Sequence, residues 1–146
     1  MDARRILVIQ AHPDPDPARY GRALSASYAD GARAASRELR EVSLTGLDLP
    51  LLRSRQAWES GAVPAGPGSG RLKGRSARIV VTMGMPAWIY RWYFGAHAVK
   101  LLERNILRFV GIAPVRCSVI GGVESADPGR RTRWLARMRT LGERGQ

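Results

Sequence analysis

Residues 6–24, ILVIQAHPDPDPARYGRAL, decide the fold. Ile6 to Ile9 are apolar and Gln10 closes the run, which reads as a short strand buried on both faces. A loop rich in His, Pro and Asp follows, and a helical pattern begins near Ala18. Strand, polar loop and helix N-terminus form the commonest phosphate-binding arrangement of α/β proteins. The first-turn N–H groups have no intrahelical partners and point at the loop. The loop is not glycine-rich, so it is neither a dinucleotide fingerprint nor a P-loop. A doubly wound α/β domain is expected around it.

Working outward, Ala18 to about Ser36 reads as the first helix, with Leu24, Tyr28, Ala32 and Ala35 on one stripe. Glu38–Leu44 is a second strand of mixed polarity, suited to a sheet edge. A βαβ start of this kind implies parallel pairing. Thr45–Arg55 is leucine-rich around Pro50 and reads as a loop with a short helical turn. Residues 61–70, GAVPAGPGSG, read as flexible coil. No third strand and no further helix is readable between Leu44 and Ile79, although a doubly wound domain has both there. Arg78–Thr82, RIVVT, is a second fully apolar strand, followed by an aromatic loop, MGMPAWIYRWYFGAH. Val99, Leu102, Ile106, Phe109 and Val110 make an amphipathic helix ended by Gly111. Pro114–Ile120 is the next strand, and Gly121–Gly122 turns out of it. Asp127 caps a final helix with Pro128 at its first position and Trp134, Met138 and Leu141 on its apolar side.

The bulk composition sets the limits. A chain of 146 residues, 45% hydrophobic, suits one domain with its own core. It has no apolar run of the roughly 18 residues a membrane span needs. The N-terminal MDARRILVIQ lacks the cleavage site of a signal peptide. A single cysteine, Cys117, excludes an internal disulfide, fits a reducing cytoplasm and reads as a small core residue. The net charge is +12, and of 24 basic residues only Lys73 and Lys100 are lysines. Such a charge favours anionic ligands and nonspecific nucleic-acid contact. The arginines are scattered over every segment, so a dispersed, solvated surface is the simpler reading, with no specific nucleic-acid partner.

Two constellations carry chemistry. The first is the loop AHPDPDPARY. His12 stands just past the carboxyl end of the first strand, where ligands bind in open α/β sheets. It is positioned either to donate a hydrogen bond to a phosphate or simply to cap a turn. Arg19 at the helix start can add charge, while Asp14 and Asp16 argue against a bare phosphate directly beside them. The second runs from Thr82 to His97 and holds Trp88, Tyr90, Trp92, Tyr93 and Phe94. Flat side chains with polar tips suit stacking on a planar ring. Thr82, Met83 and Gly84 could offer backbone N–H groups to carbonyls of such a ring. Tyr90 or Tyr93, with His97, could donate protons or stabilise developing negative charge. The same aromatic patch also suits a dimer interface. His12 and His97 are the only histidines, and no metal-ligand spacing is present.

ILVIQAHPDPDPARYGRAL, LKGRSARIVVTMGMP, YRWYFGAH and ERNILRFVGIAPVR together resemble the flavodoxin-like NAD(P)H dehydrogenase (quinone) family, over about residues 5–56 and 71–142. The resemblance implies an α/β, flavodoxin-like parallel sheet with helices on both faces. It implies a cytoplasmic homodimer that holds FMN or FAD and moves a hydride from NAD(P)H, through the flavin, to a quinone-like acceptor. It places flavin phosphate binding on His12 and the Ala18–Arg19–Tyr20 turn, and the isoalloxazine edge near Thr82, Met83 and Gly84. It sets Tyr90 or Tyr93 and His97 beside the substrate as the catalytic candidates.

The chain departs from that pattern in two ways. Where the family has a glycine pair, it has Gly84 followed by Met85 and Pro86. Ahead of LKGR, about 50 residues, one βα unit with its loops, are missing at the Gly/Pro-rich segment 61–70. The sheet then lacks a central strand. Either the strands on each side of the gap pair directly, or a partner fills it. The single shortened domain thus has two further readings: an interaction module without catalysis, or a basic nucleic-acid-binding protein.

Overall fold

In the computed structural model, residues 5–14, 16, 18–47, 55–56 and 72–146 are described. The Gly/Pro-rich segment 61–70 and most of Thr45–Arg55 lie outside them. In chain order the elements are β1 (Ile6–Gln10), α1 (Tyr20–Ala34), β2 (Leu39–Ser43), a 3₁₀ turn (Leu44–Gly46) and β3 (Ala77–Met83). Then come α2 (Ala87–Trp92), α3 (His97–Leu101) with a π-helical continuation (Leu102–Arg108), β4 (Val115–Gly121) and α4 (Pro128–Arg144). The aromatic segment expected as a loop therefore contains α2. Among the described residues no helix is long and apolar enough to cross a membrane.

The strand pairs are parallel, as the βαβ reading required. β1 runs beside β2 in the register Ile6↔Leu39 to Gln10↔Ser43, and β3 beside β4 from Ala77↔Val115 to Met83↔Gly121. They form two separate two-stranded sheets, and β1 does not pair with β3. Direct pairing across the gap is therefore not what the chain does. The expectation that β1 is buried on both faces is also corrected. None of its five residues is buried, and Leu7 and Ile9, on one face, are 57% and 58% exposed. Parallel strands are ordinarily covered on both sides; here the described residues cover one side of β1 only in part.

Helices do occupy both faces of the β3–β4 pair. Neighbouring strand residues point to opposite faces. Ile120 packs against Leu24 of α1 and Met138 of α4, whereas a Cβ on Gly121 would stand 2.2 Å from the Ala87 backbone N at the start of α2. The buried core lies where α1, α4 and β4 meet. Leu24, Ile120 and Met138 are its centre, with Tyr20, Tyr28, Trp134, Leu135 and Leu141 packed around them.

Two glycines set the α1–α4 crossing. A Cβ on Gly31 would lie 2.0 Å from the Arg139 carbonyl oxygen, and one on Gly142 would lie 2.0 Å from the Tyr28 carbonyl oxygen. Each helix therefore rests its backbone on the other. Ser27 Oγ donates to the Leu135 carbonyl at 2.8 Å, and Arg37 donates to the Glu143 carbonyl at 2.8 and 3.1 Å, closing the C-terminal end of α4. At the other end Asp127 caps α4 as the sequence indicated: its Oδ1 accepts from the Arg130 N–H at 2.9 Å, with Pro128 in the first turn.

Three outcomes follow. Gly142→Ala drives a methyl group into the Tyr28 backbone carbonyl and lowers stability by about 1–3 kcal/mol, the usual range for overpacking, read by thermal denaturation. Leu7→Thr with Ile9→Thr changes stability by less than about 0.5 kcal/mol, as at other exposed sites; a larger loss would mean that this face is covered in solution. The backbone N–H of Arg130, bonded to the Asp127 carboxylate, holds its pKa below the usual carboxylate value of 3.8. The cap contribution is therefore present above that pH and lost as pH falls through the lowered value. Asp127→Ala is less stable than the parent at neutral pH, and the two melting curves converge in acid.

Candidate functional site

The His12 loop is held by its own side chains. The Asp14 N–H donates to His12 Nδ1 at 3.1 Å. The same nitrogen also lies 3.3 Å from the Asp14 carbonyl oxygen, so Nδ1 is engaged within the turn in either tautomer. The turn-cap reading of His12 thus describes what Nδ1 does, and it leaves Nε2 available. The Asp16 N–H donates to Asp14 Oδ1 and the Ala18 N–H to Asp16 Oδ1, both at 2.9 Å. These are Asx-type turns that pin the loop between prolines. Arg19 Nε donates to Asp14 Oδ2 at 2.7 Å, and the two groups form an ion pair. The bonds from Asp16 and Arg19 hold the Asp14 carboxyl below its usual pKa. Arg19 and the Ala18 N–H are therefore engaged within the loop.

Beyond the loop, α1 starts without a side-chain cap and without an acidic residue in its first turn. Its N-terminal N–H groups keep their affinity for an anion. Tyr20, on that first turn, is committed to packing. Its hydroxyl donates to the Arg131 carbonyl at 2.9 Å, its ring lies 6.1 Å from that of Trp134, and burial raises its pKa. Arg22 reaches back to Gln10 Oε1 at 3.1 Å and steadies the end of β1. An open hollow of about 520 Å³ lies at this end of the β1–β2 pair, lined by Ala11, His12, Pro13, Leu44 and Thr45.

The second constellation is anchored at its root. The Val123 N–H donates to the Met83 carbonyl at 3.2 Å and the Gly122 N–H to the Met85 carbonyl at 2.9 Å. Gly121 admits the Met85–Ala87 backbone where any side chain would collide with it. The loops after β3 and β4 are thereby joined. A Cβ on Gly84 would meet the Glu124 carboxylate at 3.3 Å. Glu124 thus stands beside a residue the sequence singled out, and no sequence signal pointed to it, because the contact crosses from one loop to the next. The two constellations meet at one point: a Cβ on Gly21, in the first turn of α1, would lie 3.8 Å from Thr82 Oγ1 at the end of β3.

The aromatic segment is presented outward. Trp92 is 90% exposed, Tyr93 83% and Trp88 67%, and the Tyr93 and Phe94 rings stack edge-on with centroids 5.0 Å apart. Gly95 and Ala96 both adopt left-handed backbone, with φ of 59° and 51°, so the chain reverses sharply before α3. The His97 ring folds back over Gly95. No hydrogen bond joins His97 to Tyr90 or Tyr93, so these three candidates share a segment without forming a bonded cluster. Among the described residues no group of three or more His, Cys, Asp or Glu side chains is placed to hold a metal. The arginines of α4 are dispersed: Arg130 lies over the Trp134 ring at 4.8 Å, Arg131 donates to the Val123 carbonyl, and Arg139 pairs with Glu143.

Comparisons with known proteins agree with this architecture. The family model described as the flavodoxin-like fold matches residues 55–141. An NAD(P)H:quinone oxidoreductase from Methanothermobacter marburgensis superposes with a TM-score of 0.74 at 13% identity, over 97% of this chain and 96% of that one. A Streptococcus mutans protein gives 0.68 at 14% identity, over 97% of this chain and all of that one. A Klebsiella pneumoniae protein assigned as a quinone reductase gives 0.71 at 18% identity, over 94% of this chain and 83% of that one. None of the proteins of curated function matches in sequence. At these identities the structural likeness speaks for the fold, and the family match over more than half of the chain speaks for descent: the chain belongs to the flavodoxin-like fold family.

Proposed function

We propose that the chain is a flavin-dependent NAD(P)H:quinone oxidoreductase by descent, with its flavin site at the carboxyl ends of β1 and β3. The observation that carries this reading is the approach of Gly21 to Thr82, which brings the uncapped N-terminus of α1 to the end of β3. The phosphate end fits a flavin: an uncapped helix start with no acid in its first turn, and His12 with only Nδ1 engaged in the turn. Thr82, Met83 and Gly84 would border the ring. The Glu124 carboxylate beside Gly84 disfavours negative charge on whatever edge lies there.

A bound flavin supplies hydride acceptance from NAD(P)H and two-electron delivery to a quinone-like acceptor. The chain supplies positioning and charge. His12 Nε2 and the first turn of α1 hold the phosphate, and the Thr82–Gly84 backbone orients the ring edge. Tyr90 or Tyr93 and His97 donate protons to the acceptor. The exposed Trp88, Trp92, Tyr93 and Phe94 supply a stacking surface or the face of a cytoplasmic homodimer, as the resemblance implies.

The test is direct. Purified protein is expected to bind FMN or FAD with quenching of tryptophan fluorescence and to oxidise NAD(P)H with menadione as acceptor. His12→Ala removes a hydrogen bond to a charged group and weakens flavin binding by at least about tenfold. Colourless protein whose fluorescence is unchanged by either flavin would sink the proposal.

A second reading is favoured by the split sheet. With about one βα unit absent before LKGR, β1 stands uncovered by the described residues, and the domain serves as an interaction module without catalysis. It predicts a stable dimer or hetero-complex that leaves NAD(P)H unoxidised. Menadione turnover by the purified chain excludes it.

A further inference from the structure

We infer a second anion site, separate from the His12 loop, on the flank of β4, with a phosphate group as its ligand. Arg78 of β3, Arg91 of α2 and Arg137 of α4 all line one cavity of about 140 Å³ at the edge of β4, together with Cys117, Ser118 and Trp134. Among the described residues no carboxylate lines it. Elsewhere on the chain arginines pair with acids: Arg19 with Asp14, Arg33 with Glu41, Arg108 with Glu103 and Arg139 with Glu143. Among the described residues no ion pair serves Arg78, Arg91 or Arg137, nor the nearby Arg116.

Arg78 is the centre of the cluster. Its Nη1 donates to Ser118 Oγ at 2.9 Å, and its Nε is buried without any acceptor. Leaving such a donor unmade is costly, and leaving a guanidinium donor unmade more so. Burial, then the positive charges of Arg116 and Arg137, push the Arg78 pKa down. The described residues supply no compensating charge. Tyr28 and Cys117 face Arg78, and burial raises the pKa of both, so both are neutral at pH 7. Glu103, the one acid among the described residues whose charge reaches Cys117, is already paired to Arg108.

An anion completes this arrangement. Guanidinium forks match phosphate oxygens in bidentate geometry and remain charged at every working pH. The cavity holds the volume of about five waters, enough for a phosphate group and too little for a fused ring. It is also distinct from the proposed flavin site: Arg78 lies four residues before Thr82, about 13 Å along the strand. Arginines on an edge strand can serve merely to block edge-to-edge pairing. That role requires neither a cavity nor three guanidinium groups from three different elements around it.

The experiment is a titration of the whole chain with inorganic phosphate at constant ionic strength, balanced with chloride and followed by calorimetry and thermal shift. Saturable binding is expected, and Arg91→Gln with Arg137→Gln weakens it at least tenfold. Both residues are exposed, so the single variants fold if the double one does not, and each is expected to weaken binding on its own. A parallel titration with AMP separates the sources of phosphate. Equal affinity assigns the free ion, and tighter binding assigns a phosphoryl group on a larger molecule. A response that follows ionic strength alone, or is the same in the variants, overturns the proposal. His12→Ala leaves phosphate binding here intact, which keeps this result independent of the flavin reading.

Discussion

The structure depends on the crossing of α1 and α4. The two half-sheets share no backbone pairing; what ties them is one helix from each half, packed backbone to backbone through Gly31 and Gly142. A two-stranded sheet is marginal on its own. Neither half would persist without the apolar contact of Leu24, Ile120 and Met138 that this crossing builds. Because the glycines admit backbone instead of side chains, the helices come close enough for Ser27 and Arg37 to reach carbonyls on α4. The polar bonds are a consequence of that close approach.

That constraint explains where the candidate flavin site stands. α1 is pressed toward β3 and β4 by α4, so its first turn reaches Thr82 although its own strand, β1, belongs to the other sheet. The site is thus assembled by helix packing, where a doubly wound domain would use a continuous sheet. Among the described residues, other apolar positions receive no such cover. Leu7 and Ile9 on β1, and Leu101, Ile106 and Phe109 on the helix before β4, remain exposed. Apolar residues with strand or helix spacing but no cover are what a layer of the fold leaves behind when its neighbouring layer is absent.

Much of this was legible in the chain itself. The strands and their parallel sense follow from short apolar runs separated by helical periodicity. The α4 cap follows from Asp127–Pro128, and the family from four matching stretches. The burial of β1 was not legible, because an apolar strand reads the same whether or not a neighbour exists to cover it. The short helix α2 was hidden by the aromatic composition of Ala87–Trp92, whose residues favour strand or loop on propensity alone. The place of His12 just past β1 and of Thr82 at the end of β3 was readable from the apolar runs. Glu124 and the Arg78 cluster were not, since both arise from contacts between elements distant in sequence.

The charge of the chain can now be read by location. A net +12 is spread along the chain, and among the described residues Arg19, Arg33, Arg108 and Arg139 are each paired locally with an acid. On α4 the long guanidinium stems lie over Trp134 and Tyr20, so part of the positive charge covers aromatic rings that would otherwise face water. Such a surface attracts anions from every direction but selects among them only where geometry converges. The first turn of α1 converges through helix N–H groups beside His12. The β4 flank converges through guanidinium groups. The first suits a phosphate carried on a ring that needs orienting, because backbone donors fix direction. The second suits a compact dianion, because charge density without a carboxylate counterweight is satisfied only by charge of the opposite sign.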